Sequence, residues 1–148
     1  MSGRVFVDTN ILVYAYVCND DNDNKNKDED VKKHHRAKQV LQNTDSRYVI
    51  STQVLSEFYV ALAKYKIEHD TIASIISEII TFCDVAYVGL ETVNYAVELK
   101  KQYGYSYWDC LILSSALENK CIKVYSEDMR DGQTIEGSAV IDNIFTLD

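Results

Sequence analysis

Four carboxylates occupy positions that the predicted strands and helices of this chain would bring together. Asp8 closes the apolar run RVFV, and Asp128 follows a second apolar run, in VYSED. Glu57 borders the buried stripe of a predicted helix, and Asp109 lies in the first turn of another. Ligands of open parallel sheets bind beyond the carboxyl ends of the strands, so the four acids are expected at one edge.

Such a cluster predicts a cation. Four converging carboxylates repel one another and lose solvation unless a positive charge neutralises them. Hard oxygen ligands of this kind select Mg²⁺ or Mn²⁺, which keep water molecules for a phosphate or a nucleophile. That arrangement can activate water for in-line attack on a phosphodiester.

Each of these acids also has a purely structural interpretation. Asp8 can cap the following helix, and Asp109 can form a capping box with Ser106. Glu57 can reach solvent from the edge of its helix, and Asp128 can belong to a plain turn. Spacing alone leaves both interpretations open at every position.

Short apolar runs alternate with amphipathic segments along the chain, which predicts a parallel sheet covered on both faces. The predicted strands span 4–8, 47–50, 84–88 and 122–126, with a short fifth at 139–141. The predicted helices span 10–17, 31–42, 53–66, about 70–83, 91–103 and 106–117. The expected fold is therefore a single α/β domain over residues 1–148, with three layers (α/β/α) and a central parallel sheet of four to five strands.

The acidity of the chain has two sources. Net charge is −8, from 15 basic and 23 acidic residues, which excludes a general nucleic-acid binder. Residues 19–30, NDDNDNKNKDED, contain no apolar side chain and predict a mobile polar loop. The four carboxylates above supply the rest of the excess.

Composition also limits the class of protein and its expected location. The 148 residues are 47% hydrophobic, enough for a real core, yet no apolar run is long enough to cross a membrane. No signal peptide is recognisable, so a cytoplasmic protein is expected. The four scattered cysteines form no CxxC pair, which argues against structural zinc.

Four segments together resemble the PIN-domain family, and closely its VapC-type toxins. They are VFVDTNILVYAY at 5–16, ISTQVLSEF at 50–58, YSYWDCLILSSAL at 105–117 and VYSEDMRDGQ at 124–133. They occur in family order, and the match as a whole covers nearly the whole chain. The DTN start and the WD before a helix are specific in combination.

The resemblance assigns roles to particular residues. It maps the family's acidic metal ligands onto Asp8, Glu57, Asp109 and Asp128. It matches Asn10 to the amide beside the first acid and Ser126 to a small hydroxyl residue, both expected to orient ligands or water.

The implied activity is that of an endoribonuclease dependent on Mg²⁺ or Mn²⁺, leaving a 5′-phosphate and a 3′-hydroxyl. Asp109 or Glu57 would assist deprotonation of the attacking water, and one metal or two would be bound. The implied biology is the toxin of a type II toxin–antitoxin pair, with a cognate antitoxin, a homodimer and RNA as substrate. The polar insert at 19–30 departs from the short loop usual in the family.

An acidic ribonuclease needs groups that hold RNA. The candidates are the basic residues Lys32, Lys33, Arg36 and Arg130, with Lys64 and Lys66 beside them. The aromatic residues Tyr103, Tyr105, Tyr107 and Trp108 are candidates for stacking on bases. For Trp108, packing in the core or in a dimer interface is the favoured interpretation.

Two other functional classes fit the sequence less well. Phosphate-handling domains of the receiver or haloacid-dehalogenase type are disfavoured, because Val88-Gly89 ends the third strand and Asp8-Thr9-Asn10 replaces D-x-D. The remaining alternative is a non-catalytic module that keeps the fold but works by association. The presence of all four acids argues against it.

Overall fold

A six-stranded sheet forms the centre of the molecule, in a computed structural model that describes residues 3–18 and 27–146. The strands are β1 (Arg4–Val7), β2 (Arg47–Ser51), β3 (Asp84–Ala86), β4 (Lys123–Tyr125), β5 (Thr134–Ile135) and β6 (Ala139–Asp142). Their order is β3-β2-β1-β4-β6-β5, and every pairing is parallel except that of β5 with β6.

Six helices in the described residues fall into two groups. They are α1 (Thr9–Tyr16), α2 (Lys27–Leu41), α3 (Thr52–Lys64), α4 (His69–Phe82), α5 (Leu90–Tyr103) and α6 (Tyr107–Glu118). Helix α1 packs on both α2 and α3, and α3 packs on α4, whereas α5 packs on α6. This is the predicted α/β/α architecture.

The central strand is apolar because it is covered on all sides. Phe6 of β1 lies opposite Val49 of β2 and Val124 of β4, and all three side chains are fully buried. Burial of each such side chain contributes roughly 1.5–3 kcal/mol, which fixes β1 in the middle of the sheet.

The position of β1 determines where a site can form. The chain leaves β1 for β2 on one side, whereas β4 pairs on the other side, so the connections diverge at this strand. Crevices at such switch points are the usual ligand sites of parallel sheets. Asp8 follows β1 immediately at this edge.

The structure corrects several expectations. Helix α2 begins at Lys27, so residues 27–30 are not part of a polar loop; the remainder of that predicted loop, 19–26, lies outside the described residues. Asp28, Glu29 and Asp30 occupy the first turn, where carboxylates stabilise the positive end of the helix dipole. The two-residue strand β5 was not predicted, because so short a run has no recognisable period.

One side chain for which packing in the core was among the favoured interpretations does not pack there. Trp108 is 60% exposed and so is not a core residue. Among the described helices, none is both long and apolar enough to cross a membrane.

Candidate active site

All four predicted acids line one cavity at the edge of the sheet. The cavity has a volume of about 690 Å³, and its walls include Asp8, Glu57, Asp109 and Asp128. The first acid follows a strand, the second and third lie on helices, and the fourth lies in the loop after β4. Four separate segments of the chain therefore meet at this point.

Asp8 is both a helix cap and part of the cavity wall. Its side chain is only 6% exposed and accepts hydrogen bonds from the Thr9 backbone N–H at 2.7 Å and the Ser126 hydroxyl at 2.9 Å. Its own backbone N–H donates to the carbonyl of Tyr125, which ties β1 to β4. The two sequence interpretations of Asp8 are thus compatible.

Glu57 is held by two side chains that were not singled out from the sequence. The Thr9 hydroxyl donates to Oε1 at 2.6 Å, and the Gln53 amide donates to Oε2 at 3.4 Å. Gln53 precedes Glu57 by four residues, a helical spacing that could have identified it. Thr9 carried no signal beyond its place next to Asp8.

Asp109 is positioned by the start of α6. Gly104, in the left-handed conformation at φ 77°, ends α5, and Ser106 then caps α6 by accepting from the Asp109 N–H at 3.1 Å. The helix start thereby turns the half-buried carboxylate of Asp109 into the cavity. As with Asp8, a cap and a candidate functional group coincide.

Asp128 is held by the two predicted supporting residues. The Asn10 amide donates to Asp128 Oδ2 at 2.9 Å, and the Asp128 backbone N–H donates to Ser126 Oγ at 3.2 Å. The fully buried hydroxyl of Ser126 therefore links Asp8 to the loop of Asp128. Asn10 and Ser126 both orient acids, which is the geometry a supporting role requires.

Burial and mutual repulsion disfavour the charged form of three of these acids. Burial raises the pKa of Asp8 to about 7, with smaller contributions from the charges of Asp109 and Asp128. The pKa of Asp109 is raised by burial and then by Asp128 and Glu57. The pKa of Asp128 is raised by burial and by its neighbour Glu127. Without a cation the cluster is electrostatically strained.

The donor set fits a hard divalent cation bound partly through water. In the described residues no three acidic, histidine or cysteine side chains are placed to ligate one ion directly. Several carboxylate oxygens face hydrogen-bond donors instead, as repulsion between uncompensated acids would produce. Mg²⁺ commonly uses one or two carboxylates and keeps several waters, so the cavity does not need a closed cage of protein ligands.

Two predicted RNA-binding residues are engaged within the protein. Lys33 pairs with Glu127 at 2.8 Å and lies over the rings of Tyr14 and Phe145, at 5.3 and 5.4 Å from their centroids. The Arg36 side chain donates to the carbonyl of Ile144 at 2.9 Å. Lys33 therefore holds the loop of Asp128 against α2, and Arg36 holds the segment around Ile144 against the same helix.

The other basic candidates differ in their access to the cavity. Lys64 lines the cavity of the four acids. Lys32 lines a separate shallow groove on α2, and Arg130 is exposed without lining the acidic cavity. Contact of these residues with RNA stays a prediction.

The four aromatic candidates also differ in their contacts and exposure. Tyr103 donates to Glu136, and Tyr105 donates to Gln133, so both hydroxyls fasten the segment around β5. Tyr107 packs edge-on against Trp108, with ring centroids 5.3 Å apart. Of these four aromatic residues, only Trp108 has a largely exposed side chain, whereas the three tyrosines are partly buried.

Comparison with known proteins begins with a family model. The model of the PIN domain matches residues 5–131. These residues include all four acids and both supporting residues. A search of curated proteins finds no match to the sequence.

Solved structures of similar fold are toxins and toxin–antitoxin complexes. VapC20 of Mycobacterium tuberculosis, described as a toxin that cleaves the sarcin–ricin loop, superposes with a TM-score of 0.65 at 18% identity, covering 82% of this chain and 88% of that one. A toxin–antitoxin complex from Klebsiella pneumoniae gives 0.65 at 19% identity, covering 95% and 97%. VapBC2 of Rickettsia felis, bound to a promoter DNA fragment, gives 0.62 at 19% identity, covering 95% and 98%.

Proposed function

Because this chain belongs to the PIN domain family, we propose that it is a metal-dependent endoribonuclease and the toxin of a type II toxin–antitoxin pair. The observation that carries the proposal is the convergence of Asp8, Glu57, Asp109 and Asp128 on one cavity. A structural role alone does not explain why four carboxylates from four segments line one cavity in which Asp8 is almost fully buried. A divalent cation, Mg²⁺ or Mn²⁺, removes the repulsion between them.

The proposed reaction is hydrolysis of an RNA phosphodiester. A bound cation would lower the pKa of water and stabilise charge on the phosphate. Water oxygen forms the new bond to phosphorus while the bond to the 3′ oxygen breaks, leaving a 5′-phosphate and a 3′-hydroxyl. The proton of the attacking water passes to a cavity carboxylate, and the departing 3′ oxygen is protonated.

Asp109 suits the role of proton acceptor better than Glu57. Both oxygens of Glu57 already accept hydrogen bonds, from Thr9 and Gln53. Burial raises the pKa of the Asp109 carboxyl, and a base with a pKa closer to neutrality removes a proton more effectively. We therefore assign orientation to Glu57 and proton acceptance to Asp109.

The test is cleavage of pooled RNA by purified protein in Mg²⁺ or Mn²⁺. We expect Asp8→Asn and Asp109→Asn to abolish cleavage while retaining the fold by circular dichroism. Asp45→Asn, which changes an exposed carboxylate outside the cavity, should leave cleavage intact. The products of the wild type should carry 5′-phosphates, and cleavage retained by Asp8→Asn would refute the assignment.

The alternative of a non-catalytic binding module gives a different result in the same assay. A folded wild-type protein that cleaves no RNA with either metal, and binds neither, would favour it.

A cognate antitoxin is the proposed partner. One structure of similar fold is described as a toxin–antitoxin complex, and two others, VapBC2 and FitAB, are described as bound to DNA fragments. An apolar groove lined by Ala15, Tyr16, Leu41 and Phe82 offers this chain a place for an amphipathic helix. A basic residue of the antitoxin would neutralise the acidic cavity in place of the cation.

We also propose a homodimer and action in the cytoplasm, where RNA substrates are found. Leu90 and Val97 are exposed apolar side chains seven residues apart on α5, and Tyr87 precedes them. Residues at this spacing share one helix face, which suits packing against a second copy. Sedimentation of the purified chain would measure the oligomeric state.

A further inference from the structure

A second groove adjoins the acidic cavity. It is lined by Thr52, Gln53, Ser56, Glu57, Val88, Trp108 and Leu111. Ser56 and Glu57 also line the cavity of the four acids, so the two depressions share a wall. A nucleotide next to one held in the cavity would therefore lie close to this groove.

Trp108 gives the groove an aromatic surface. It is the single tryptophan of the sequence, it is 60% exposed, and it immediately precedes Asp109. An exposed indole loses the free energy that burial of its large apolar surface would provide, so this position favours a ligand that covers it.

Gln53 ties this aromatic surface to the acids. Its amide nitrogen donates to the Trp108 carbonyl at 3.2 Å and to Glu57 Oε2 at 3.4 Å. One side chain thus fixes the spacing between the groove and the cavity. Its amide oxygen is buried and accepts no hydrogen bond from the described residues, so Gln53 contributes to this site by holding the backbone of Trp108 close to Glu57.

The charge of the site indicates what kind of contact must hold the substrate. Among the residues that line the acidic cavity, Lys64 is the sole basic side chain. Lys33 and Arg36 are engaged within the protein. Phosphate contacts are the usual source of nucleic-acid affinity, and here they are few. Base stacking, which needs no positive charge, can supply the deficit.

Resting on the proposed nuclease function, we infer that this groove is a subsite for an unpaired nucleobase beside the scissile phosphate. The Trp108 indole stacks on the face of the base. Every base has such a face, so the subsite selects single-stranded RNA rather than a particular base. A base in a duplex is excluded because both of its faces are covered by its stacked neighbours.

The experiment uses the fluorescence of Trp108, which reports on this groove alone. Asp8→Asn protein in Mg²⁺ is titrated with oligouridylate, whose bases are unstacked, and separately with the same RNA annealed to oligoadenylate. We expect saturable quenching by the single strand and little by the duplex. Absence of quenching by the single strand would overturn the inference.

Variants measured with labelled RNA add an independent readout. Stacking on one base is worth about 1–3 kcal/mol, so Trp108→Leu should weaken single-strand binding at least fivefold, and Trp108→Phe should largely restore it. The control is Ile122→Ala, an exposed apolar residue next to the first residue of β4, at the opposite edge of the sheet. If Trp108→Leu instead converts a dimer to a monomer and leaves RNA affinity unchanged, the groove is a surface between copies of this chain and the inference fails.

The nuclease proposal is judged separately, by cleavage with the wild-type protein. Quenching and Trp108-dependent binding without any cleavage would keep the base subsite and refute the nuclease. Cleavage without quenching and without Trp108-dependent binding would keep the nuclease proposal and refute the base subsite.

Discussion

Asp8 lies in an environment that disfavours its own charge. It is almost fully buried, receives two hydrogen bonds, and faces two further acids. The hydrogen bonds stabilise the carboxylate, but burial outweighs them and raises its pKa to about 7. Stability of the metal-free protein should therefore depend on pH through this residue.

The sign of that dependence follows from proton binding. Between the unfolded pKa near 4 and the folded pKa near 7, the folded state holds a proton on Asp8 that the unfolded state has lost. The contribution of Asp8 to the stability of the metal-free wild type should therefore fall as pH rises from about 4 to about 7. Asp8→Asn does not titrate, so it should be more stable than the wild type at pH 8 and closer to it at pH 4.

Urea unfolding in a chelator measures this prediction. Asp45→Asn serves as the exposed control and should track the wild type at both pH values. A variant Asp8→Asn less stable than the wild type at pH 8 would contradict the account of a strained acid cluster.

Thr9 carries the second prediction. Its hydroxyl donates to Glu57 at 2.6 Å, so Thr9→Val should release that carboxylate while nearly preserving side-chain volume. Groups that orient ligands typically contribute about 10–100-fold, and we expect cleavage to fall by about tenfold or more. Thr9→Ser keeps the hydroxyl and should retain most activity; equal losses in both variants would point to packing instead.

The sequence predicted the four acids because strand ends and helix starts have recognisable signals, whereas Asn10 and Ser126 were predicted from the resemblance to the PIN-domain family. It did not predict the partners of Glu57, because Thr9 and Gln53 are common helix residues whose side-chain direction depends on the packing of α1 on α3. It also did not predict that Lys33 and Arg36 would be engaged within the protein. A run of basic residues looks the same in sequence whether or not acids from distant segments pair with it.

Helix α2 is joined to the site by the ion pair of Lys33 and Glu127. The two side chains are 21% and 16% exposed, and Tyr14 and Phe145 cover the ammonium group. Glu127 directly precedes Asp128, so this pair fastens the loop that carries the fourth acid. Partial burial makes the pair stronger than a surface ion pair.

The third prediction tests this connection. Lys33→Met should destabilise the protein by about 1–2 kcal/mol, whereas Lys32→Met, at the exposed neighbouring position, should change stability by less than about 0.5 kcal/mol. A double-mutant cycle with Glu127→Gln isolates the coupling between the two side chains. A coupling energy near zero would show that the pair does not hold the loop.

Elements were predicted well where a period or a cap was present. Ser106 caps α6 as expected, and five of the six strands begin within one residue of their predicted start. The start of α2 was missed because its first turn is entirely charged and has no apolar period. Its stability depends on packing against α1, which lies outside any local pattern.

The molecule as a whole combines a net charge of −8 with an acidic cavity. Either a cation or a basic group of a partner can neutralise that cavity, and the proposed function requires both at different times. A toxin would be active with the cation and silent with the antitoxin.

The fourth prediction follows for the living cell. Expression of this chain alone should slow growth, and co-expression with the product of the neighbouring gene should restore it. Asp8→Asn should be harmless in either case. Full tolerance of the wild type at high expression, with the protein folded, would contradict the toxin assignment.

The most direct measurement is a titration of purified protein with Mg²⁺ and Mn²⁺, read by cleavage of pooled RNA beside Asp8→Asn. The account predicts that cleavage appears with metal, saturates, and is lost in the variant together with metal affinity. Cleavage that persists in chelator, or in Asp8→Asn at the wild-type rate, would contradict a cation-dependent centre built from these four carboxylates.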